Sequence, residues 1–333
     1  MIRLIQPSFY DDFHCAASRC TDTCCQQWDI DIDPETAARY QTLSGDLGQR
    51  IRSAISQGED GPIFAVEENG HCPMHRSDGL CAIQAALGEE ALCQVCREFP
   101  RLRHDYGDFV ELGLEMSCPE AARILLTAPS APAQLRDLPG DGQADYDREL
   151  MALLQDSRKA ALDLLADPAL TVPQALALLF LYGCHIQGRI DGEEAGAEFS
   201  RSEALETARE LGAAGDFSQI PSFFLDLDIL TEEWRDRLQE ARLSPLSPLC
   251  RNLGRYLVGR YWLQAVSDYD LYSRVKFILI SCLLISSLGG DFIDTAHLWS
   301  KEIENDCDNL EAILDAAYES PVFTDRSLLG YLR

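Results

Sequence analysis

Apolar positions at Tyr40, Leu43, Leu47, Ile51 and Ile55 recur every three or four residues, so residues 34–58 read as one helix. Asp33 suits its N-cap and Pro34 its first turn. Residues 63–66 follow as a short apolar strand. Ile83, Leu87 and Leu92 then predict a short helix that delivers Cys93 and Cys96 near its end, stopped by Pro100. The segment 106–118 alternates as a strand or hairpin arm, and Cys118-Pro119 opens a helix through Leu126.

Pro129, Pro132, Pro139, Gly140 and Gly142 interrupt the pattern, which makes 127–145 a linker or long surface connection. Beyond it the period is helical almost throughout. Helices are expected at 150–165, 173–190, 193–213, 231–242, 248–264, 269–288 and 295–318. Gly289-Gly290 ends the strongly apolar one. The pattern predicts a mostly α protein. An irregular, cysteine-rich metal-binding domain with little β (1–126) precedes an α-helical domain (146–333).

Composition narrows the class. The 333 residues are 46% apolar and 25% charged, as in a globular protein. The longest apolar run, Phe277 to Leu288, is too short to cross a bilayer, which takes about 20 residues. It reads as a buried core helix. The N-terminal residues lack the apolar run of a secretory signal, so the expectation is a soluble, cytoplasmic chain with no membrane partner. A net charge of −27 with no basic stripe argues against nucleic acid and suits a cationic partner such as a lysine-bearing protein.

Nine of the thirteen cysteines fall before residue 119: Cys15, Cys20, Cys24, Cys25, Cys72, Cys81, Cys93, Cys96 and Cys118. In a reducing compartment such a cluster points to metal or redox chemistry before disulfides. The turn at Ser77-Asp78-Gly79 would fold Cys72 and Cys81 towards each other. The spacings C-x4-C-x3-C-C and C-x8-C-x11-C-x2-C are not those of a zinc ribbon, because only Cys93-x2-Cys96 forms a knuckle. They are not the C-x3-C-x2-C radical motif either. Zinc and an iron–sulfur cluster both stay open on spacing alone.

Three blocks carry a resemblance: FHCAASRCTDTCCQQWDIDID, CPMHRSDGLCAIQAALGEEALCQVCREFPR and LEMSCPEAAR. Together they resemble the flagellin lysine N-methylase family, and the first two also resemble a broader family of putative zinc- or iron-chelating domains. The resemblance covers about the first 125 residues. It implies an iron–sulfur protein, expected to carry a 4Fe-4S cluster, that moves methyl groups from S-adenosylmethionine to flagellin lysines. Zinc is the alternative metal, and a non-catalytic zinc-binding interaction module the alternative function. A methylase of the same scaffold acting on another protein is a third reading. The implied ligand pool is Cys15, Cys20, Cys24, Cys25, Cys72, Cys81, Cys96 and Cys118, with Cys93 outside the pattern.

The sequence contains no strand–GxG–helix unit, so a site for S-adenosylmethionine must be built in some other way. Arg97 and Arg101 are candidates for the cofactor carboxylate. Asp22, Asp29, Asp31, Asp105 and Tyr106 are candidates to orient or deprotonate the lysine amine. Blander roles are expected elsewhere. Cys184, Cys250, Cys282 and Cys307 read as core packing, and His14, His71 and His75 as solvated or supporting neighbours of the thiols. Trp28 reads as a packing anchor, and Glu89-Glu90 and Glu232-Glu233 as exposed helix faces.

Overall fold

The computed structural model describes residues 1–129, 131–193 and 198–332. It is mostly α-helical, with two small sheets confined to the N-terminal part. In chain order that part contains β1 (Ile2–Gln6), β2 (Ile30–Asp31), α1 (Pro34–Thr42), α2 (Gly45–Ala54), β3 (Ile55–Gln57), β4 (Pro62–Phe64), α3 (Ala82–Leu87) and α4 (Gln94–Glu98). Then come β5 (Arg101–Asp105), β6 (Phe109–Leu114), α5 (Pro119–Thr127) and β7 (Gln134–Leu138).

One sheet has the order β5-β6-β1-β7, with β1 parallel to β6 and the other pairs antiparallel. The other has the order β2-β4-β3 and is antiparallel throughout. This is more strand than the hydrophobic pattern announces. β7 lies within the proline-rich 127–145 stretch and is exposed along nearly its whole length, so its pairing rests on the ladder to β1. Edge strands of that kind leave no alternating signature.

The helix read at 34–58 is in fact two helices and a strand. Leu43 turns extended, Gly45 takes φ +78°, and Ile55 leaves the helix to pair with Phe64. The periodic residues still converge, because Tyr40 and Ile51 are fully buried in one small core with Phe64. A second break falls at Gly88 (φ +85°), which separates α3 from α4. Cys93 is therefore the N-cap of α4, and the expected single helix ending on Cys93 and Cys96 does not form.

The remainder is helical: α6 (Arg148–Ala166), α7 (Val172–Ile190), α8 (Arg201–Leu211), α9 (Gln219–Leu225), α10 (Glu232–Glu240), α11 (Cys250–Tyr261), α12 (Ala265–Asp268), α13 (Tyr272–Ser287), α14 (Phe292–Trp299), α15 (Cys307–Glu319) and α16 (Asp325–Tyr331). Part of the helix read at 193–213 lies outside the described residues, and α8 supplies the rest.

The apolar run expected to be a core helix is α13, buried at almost every position and packed against α7, α11 and α15. Burying each of its leucines and isoleucines contributes about 1.5–3 kcal/mol. Contact with α7 is close enough that a Cβ on Gly183 would collide with the Val275 methyls. Among the described residues no helix is long and apolar enough to cross a membrane.

The helix expected at 295–318 is interrupted. Residues Ser300–Glu304 form a π-helical turn between α14 and α15. Such turns widen the helix by one residue and redirect the side chains on it. Here Lys301, Glu302 and Glu304 face three separate sets of partners.

Candidate functional site

Three cysteines sit where a helix begins: Cys81 caps α3, Cys93 caps α4 and Cys118 caps α5. Helix-start N–H groups lower the Cys81 and Cys118 pKa, although at Cys118 burial outweighs them. The turn at residues 76–80 closes as the sequence implies, with Gly79 at φ +80° donating its N–H to the Arg76 carbonyl. It brings Cys81 back beside Cys72. The first cysteine loop is stitched to the same place, because Cys72 N–H donates to the Cys25 carbonyl at 2.8 Å and Gln27 N–H to that of Gly70 at 2.7 Å.

All thirteen cysteines are free thiols, and those of the N-terminal part form two groups. Cys24, Cys25, Cys72, Cys81, Cys93 and Cys96 act on one another within or beside the small core of β2–β4, α1 and α2. Cys25 faces both Cys24 and Cys81 as a hydrogen-bond donor, which drives its own pKa far up. The same bond brings Cys81 down to about 6 and also lowers Cys24. Cys96 likewise lowers Cys93, whose sulfur lies 3.7 Å from the Tyr40 hydroxyl. Burial pushes Cys72 up to about 11.

The second group is Cys15, Cys20 and Cys118, which feel each other's charge, with Cys118 buried against Phe13 and raised by burial to about 11. Cys20 also senses Cys24, so the two groups adjoin. Cys93, outside the resemblance pattern, is inside the first group. Among the described residues no three His, Cys, Asp or Glu side chains stand in a geometry that could hold a metal ion. The chemistry of the donor set nevertheless fits a soft metal. Six thiols share one partly buried site, and thiol sulfur is the ligand type that soft metals select.

A cavity of about 510 Å³ opens beside this site, within the ordinary range for small-molecule pockets. The cysteine loop supplies Cys24, Gln27 and Trp28 on one wall, and the helical C-terminal part supplies Asp228, Lys301 and Glu302 on the other. Trp28 donates its indole N–H to the Cys24 carbonyl at 2.8 Å and remains 37% exposed. It therefore both anchors the loop and offers a ring face.

Glu302 accepts from Leu230 N at 2.8 Å and Thr231 Oγ1 at 2.5 Å, and burial raises its pKa. Glu115, also on the wall, is raised by burial despite the Arg260 guanidinium 3.3 Å away. Glu304 accepts from Tyr256, Tyr261 and Ser300, which fixes the base of the π turn.

Asp22 ties the two walls together. Its Oδ2 accepts from Lys301 Nζ at 2.7 Å and lies 2.9 Å from His297 Nε2, while Oδ1 accepts from Gln26 Nε2 and Thr23 N. Burial alone would raise the Asp22 pKa, but the bonds to His297 and Lys301 outweigh it and hold the carboxyl well below its usual range.

Of the candidate bases, Asp22 alone takes part in this junction. Asp29 accepts from Val66 N, and Asp31 is exposed beside a different cleft. Asp105 and Tyr106 belong to the β5–β6 hairpin, where Asp105 caps Gly107 and Tyr106 stacks on Phe109. Arg97 donates to the Leu92 carbonyl and Arg101 lies over the Phe13 ring. His71 and His75 stack on each other with centroids 4.4 Å apart. Cys250 and Cys282 are buried and Cys184 packs against the core, but Cys307 is exposed because it opens α15 on the solvent side, against the core role expected of it.

Lys301, Glu302 and His297 were not singled out by the sequence. The one available signal is scarcity: Lys301 is one of three lysines in the chain.

The chain is 31% identical over 144 residues to the flagellar biosynthetic protein FliU of Salmonella muenchen, a match covering 40% of this chain and 82% of that one. It belongs to the FliU family. Proteins named lysine-N-methylase from Salmonella choleraesuis and Salmonella typhimurium are each 33% identical over 144 residues. Those matches cover 40% of this chain and 34% of each methylase, so the chain spans about a third of their length. No protein-family model and no solved structure matches.

Proposed function

We infer that this protein is a protein-lysine N-methyltransferase that uses S-adenosylmethionine, with flagellin or a similar lysine-bearing protein as substrate. The activity named for two relatives supports the reaction, and the name of the third supports a flagellar substrate. One observation supports this choice of site: the cavity walled by Cys24, Trp28, Lys301 and Glu302 includes a thiol of the six-cysteine group.

The walls suit cationic reactants. Glu115, Asp228, Glu302 and Asp306 give the cavity a surplus of carboxylates over its single ammonium, Lys301. An exposed tryptophan face attracts a sulfonium or an alkylammonium. In the transfer the lysine nitrogen forms a C–N bond to the methyl as the C–S bond breaks, and the sulfur leaves as a neutral thioether. The amine must attack unprotonated and its proton must go to a base. Glu302 and Glu115, both raised by burial, are the carboxylates best matched to accept it. Asp22 neutralises Lys301 across the junction.

The thiols that would hold a metal are Cys24, Cys25, Cys72, Cys81, Cys93 and Cys96, with Cys15, Cys20 and Cys118 as an adjoining set. An iron–sulfur cluster supplies iron to which an amino and a carboxylate group can bind. The test is spectroscopic. Protein purified without oxygen should be brown, carry iron and sulfide, and change its electron–nuclear double resonance spectrum when labelled S-adenosylmethionine is added. Colourless protein with stoichiometric zinc after anaerobic purification, and no transfer to flagellin, would favour the zinc-binding interaction module instead.

A further inference from the structure

A second cavity, of about 310 Å³, lies between the β5-β6-β1-β7 sheet and α11, separate from the cysteine site. Most of its wall is aliphatic, from Ile5, Leu102, Leu112 and Leu162. One face of α11 adds Asn252, Arg255, Tyr256 and Gly259, which follow one another at helical spacing, and His104, Glu111 and Arg158 add polar groups from other elements. A mixed wall of that kind is what a ligand with an apolar body and a polar head requires.

The charges in it are unequal. Arg158 is neutralised by a two-pronged pair with Glu111, at 2.8 and 2.5 Å. Arg260 is matched by Glu115 at 3.3 Å and Glu304 at 3.4 Å. Arg255 has neither. It is half-buried, and among the described residues its guanidinium makes one hydrogen bond, to Asn252 Oδ1 at 3.2 Å, and no ion pair. A guanidinium carries five N–H donors in a planar fork, so most of its capacity is free. Burial lowers its pKa, which marks the desolvation an anion would offset. The His104 Nε2 on the opposite wall is also sealed from solvent without a hydrogen-bond partner among the described residues. In a chain of net charge −27, a guanidinium without a carboxylate partner in a largely aliphatic cavity is a specific arrangement.

We propose that this cavity is a binding site for a small organic anion, an apolar body whose carboxylate or phosphate head pairs with Arg255. The site makes no use of the thiols and stands independently of the methyl-transfer reading.

Gly259 gives a clean way to close the cavity. A Cβ there meets nothing within 4 Å and its backbone is ordinary helix, so a larger side chain enters the open space without strain. It also gains about 1 kcal/mol of helix propensity. The experiment is calorimetric titration of the full chain with octanoate, octyl phosphate and 1-octanol, repeated on Arg255→Met and Gly259→Leu, with circular dichroism to confirm folding.

The proposal expects one octanoate or octyl phosphate per chain, the tighter of the two identifying the head group. The charge-assisted contact should be worth at least about tenfold in affinity. Octanol should therefore bind at least tenfold more weakly, Arg255→Met should lose at least tenfold, and Gly259→Leu should bind neither anion. Equal binding of octanol and the anions, or unchanged binding in either folded variant, would overturn it. So would the absence of binding by both anions to the wild-type chain.

Discussion

Lys301 Nζ stands 2.7 Å from Asp22 Oδ2, joining a residue between two cysteines of the first loop to a π turn almost 280 positions later. Only 12% and 23% of the two side chains is exposed. The pair fixes one wall of the cavity against the other, and several consequences can be measured.

Removing either partner leaves the other charge largely buried. Asp22→Asn and Lys301→Met are each expected to lower stability by about 1–3 kcal/mol. The double variant should cost less than their sum, with a coupling of about 0.5–3 kcal/mol in a denaturation cycle. Strict additivity would mean that the two residues do not act together.

Two glycines should respond in opposite ways. Gly183→Ala drives a methyl into Val275 at the α7–α13 contact and should destabilise by about 1–3 kcal/mol. Gly259→Ala enters open space on α11 and should be neutral or stabilising by up to about 1 kcal/mol. Melting temperatures that fall equally in both would refute the packing described for α13.

Asp33 caps two helices with one carboxylate. Oδ1 accepts from Thr36 N at 2.9 Å in α1, and Oδ2 from Gln94 N at 2.8 Å in the helix that holds Cys96. Burial is the largest single influence and would raise its pKa, but the hydrogen bonds, Gln94 first, together outweigh it and lower the value. A depressed carboxyl pKa adds stability above its unfolded value of about 3.9, and that stability is lost as pH falls through the folded value. Asp33→Ala should therefore cost about 1–2 kcal/mol near neutrality. The gap between wild type and variant should close as pH drops below about 4. A gap that persists in strong acid would exclude the cap as its source.

The sequence made some parts of this molecule legible and hid others for physical reasons. Long amphipathic periods around Leu154, Leu176 and Ile280 declare buried helices, because burial of one face sets the spacing. Asp33-Pro34 and Cys118-Pro119 declare helix starts, because proline fits only there. The strands β1 and β7 are not declared, since their pairing satisfies backbone groups and asks little of the side chains. The break at Leu43 is masked because α1 and α2 both turn their apolar faces into one core. At the site, the N-terminal cysteines were visible by their clustering, and Asp22 only as one of five candidates that nothing in the sequence separates. Lys301 and Glu302 were not, because a π turn keeps an apparently unbroken helical period while changing which residues face the cavity.

Cys93 and Cys25 separate metal ligation by sequence pattern from ligation by position. Cys93 lies outside the resemblance pattern but hydrogen-bonds with Cys96, and Cys25 touches two other thiols. Serine at either position is expected to lower metal per chain, measured by elemental analysis after anaerobic purification, whereas Cys184→Ser and Cys307→Ser should leave it unchanged. Full metal content in Cys93→Ser would return that residue to a packing role.

The cavity between Trp28 and Glu302 is the proposed place of methyl transfer. The direct test incubates anaerobically purified protein with flagellin and methyl-labelled S-adenosylmethionine, and maps the lysines by mass spectrometry. Labelled methyl-lysine is predicted for the wild type. Trp28→Ala and Glu302→Gln, folded and with their metal retained, should each lose at least about tenfold in rate. Methylation that proceeds unchanged in both variants, or none with metal-replete wild type, would contradict it.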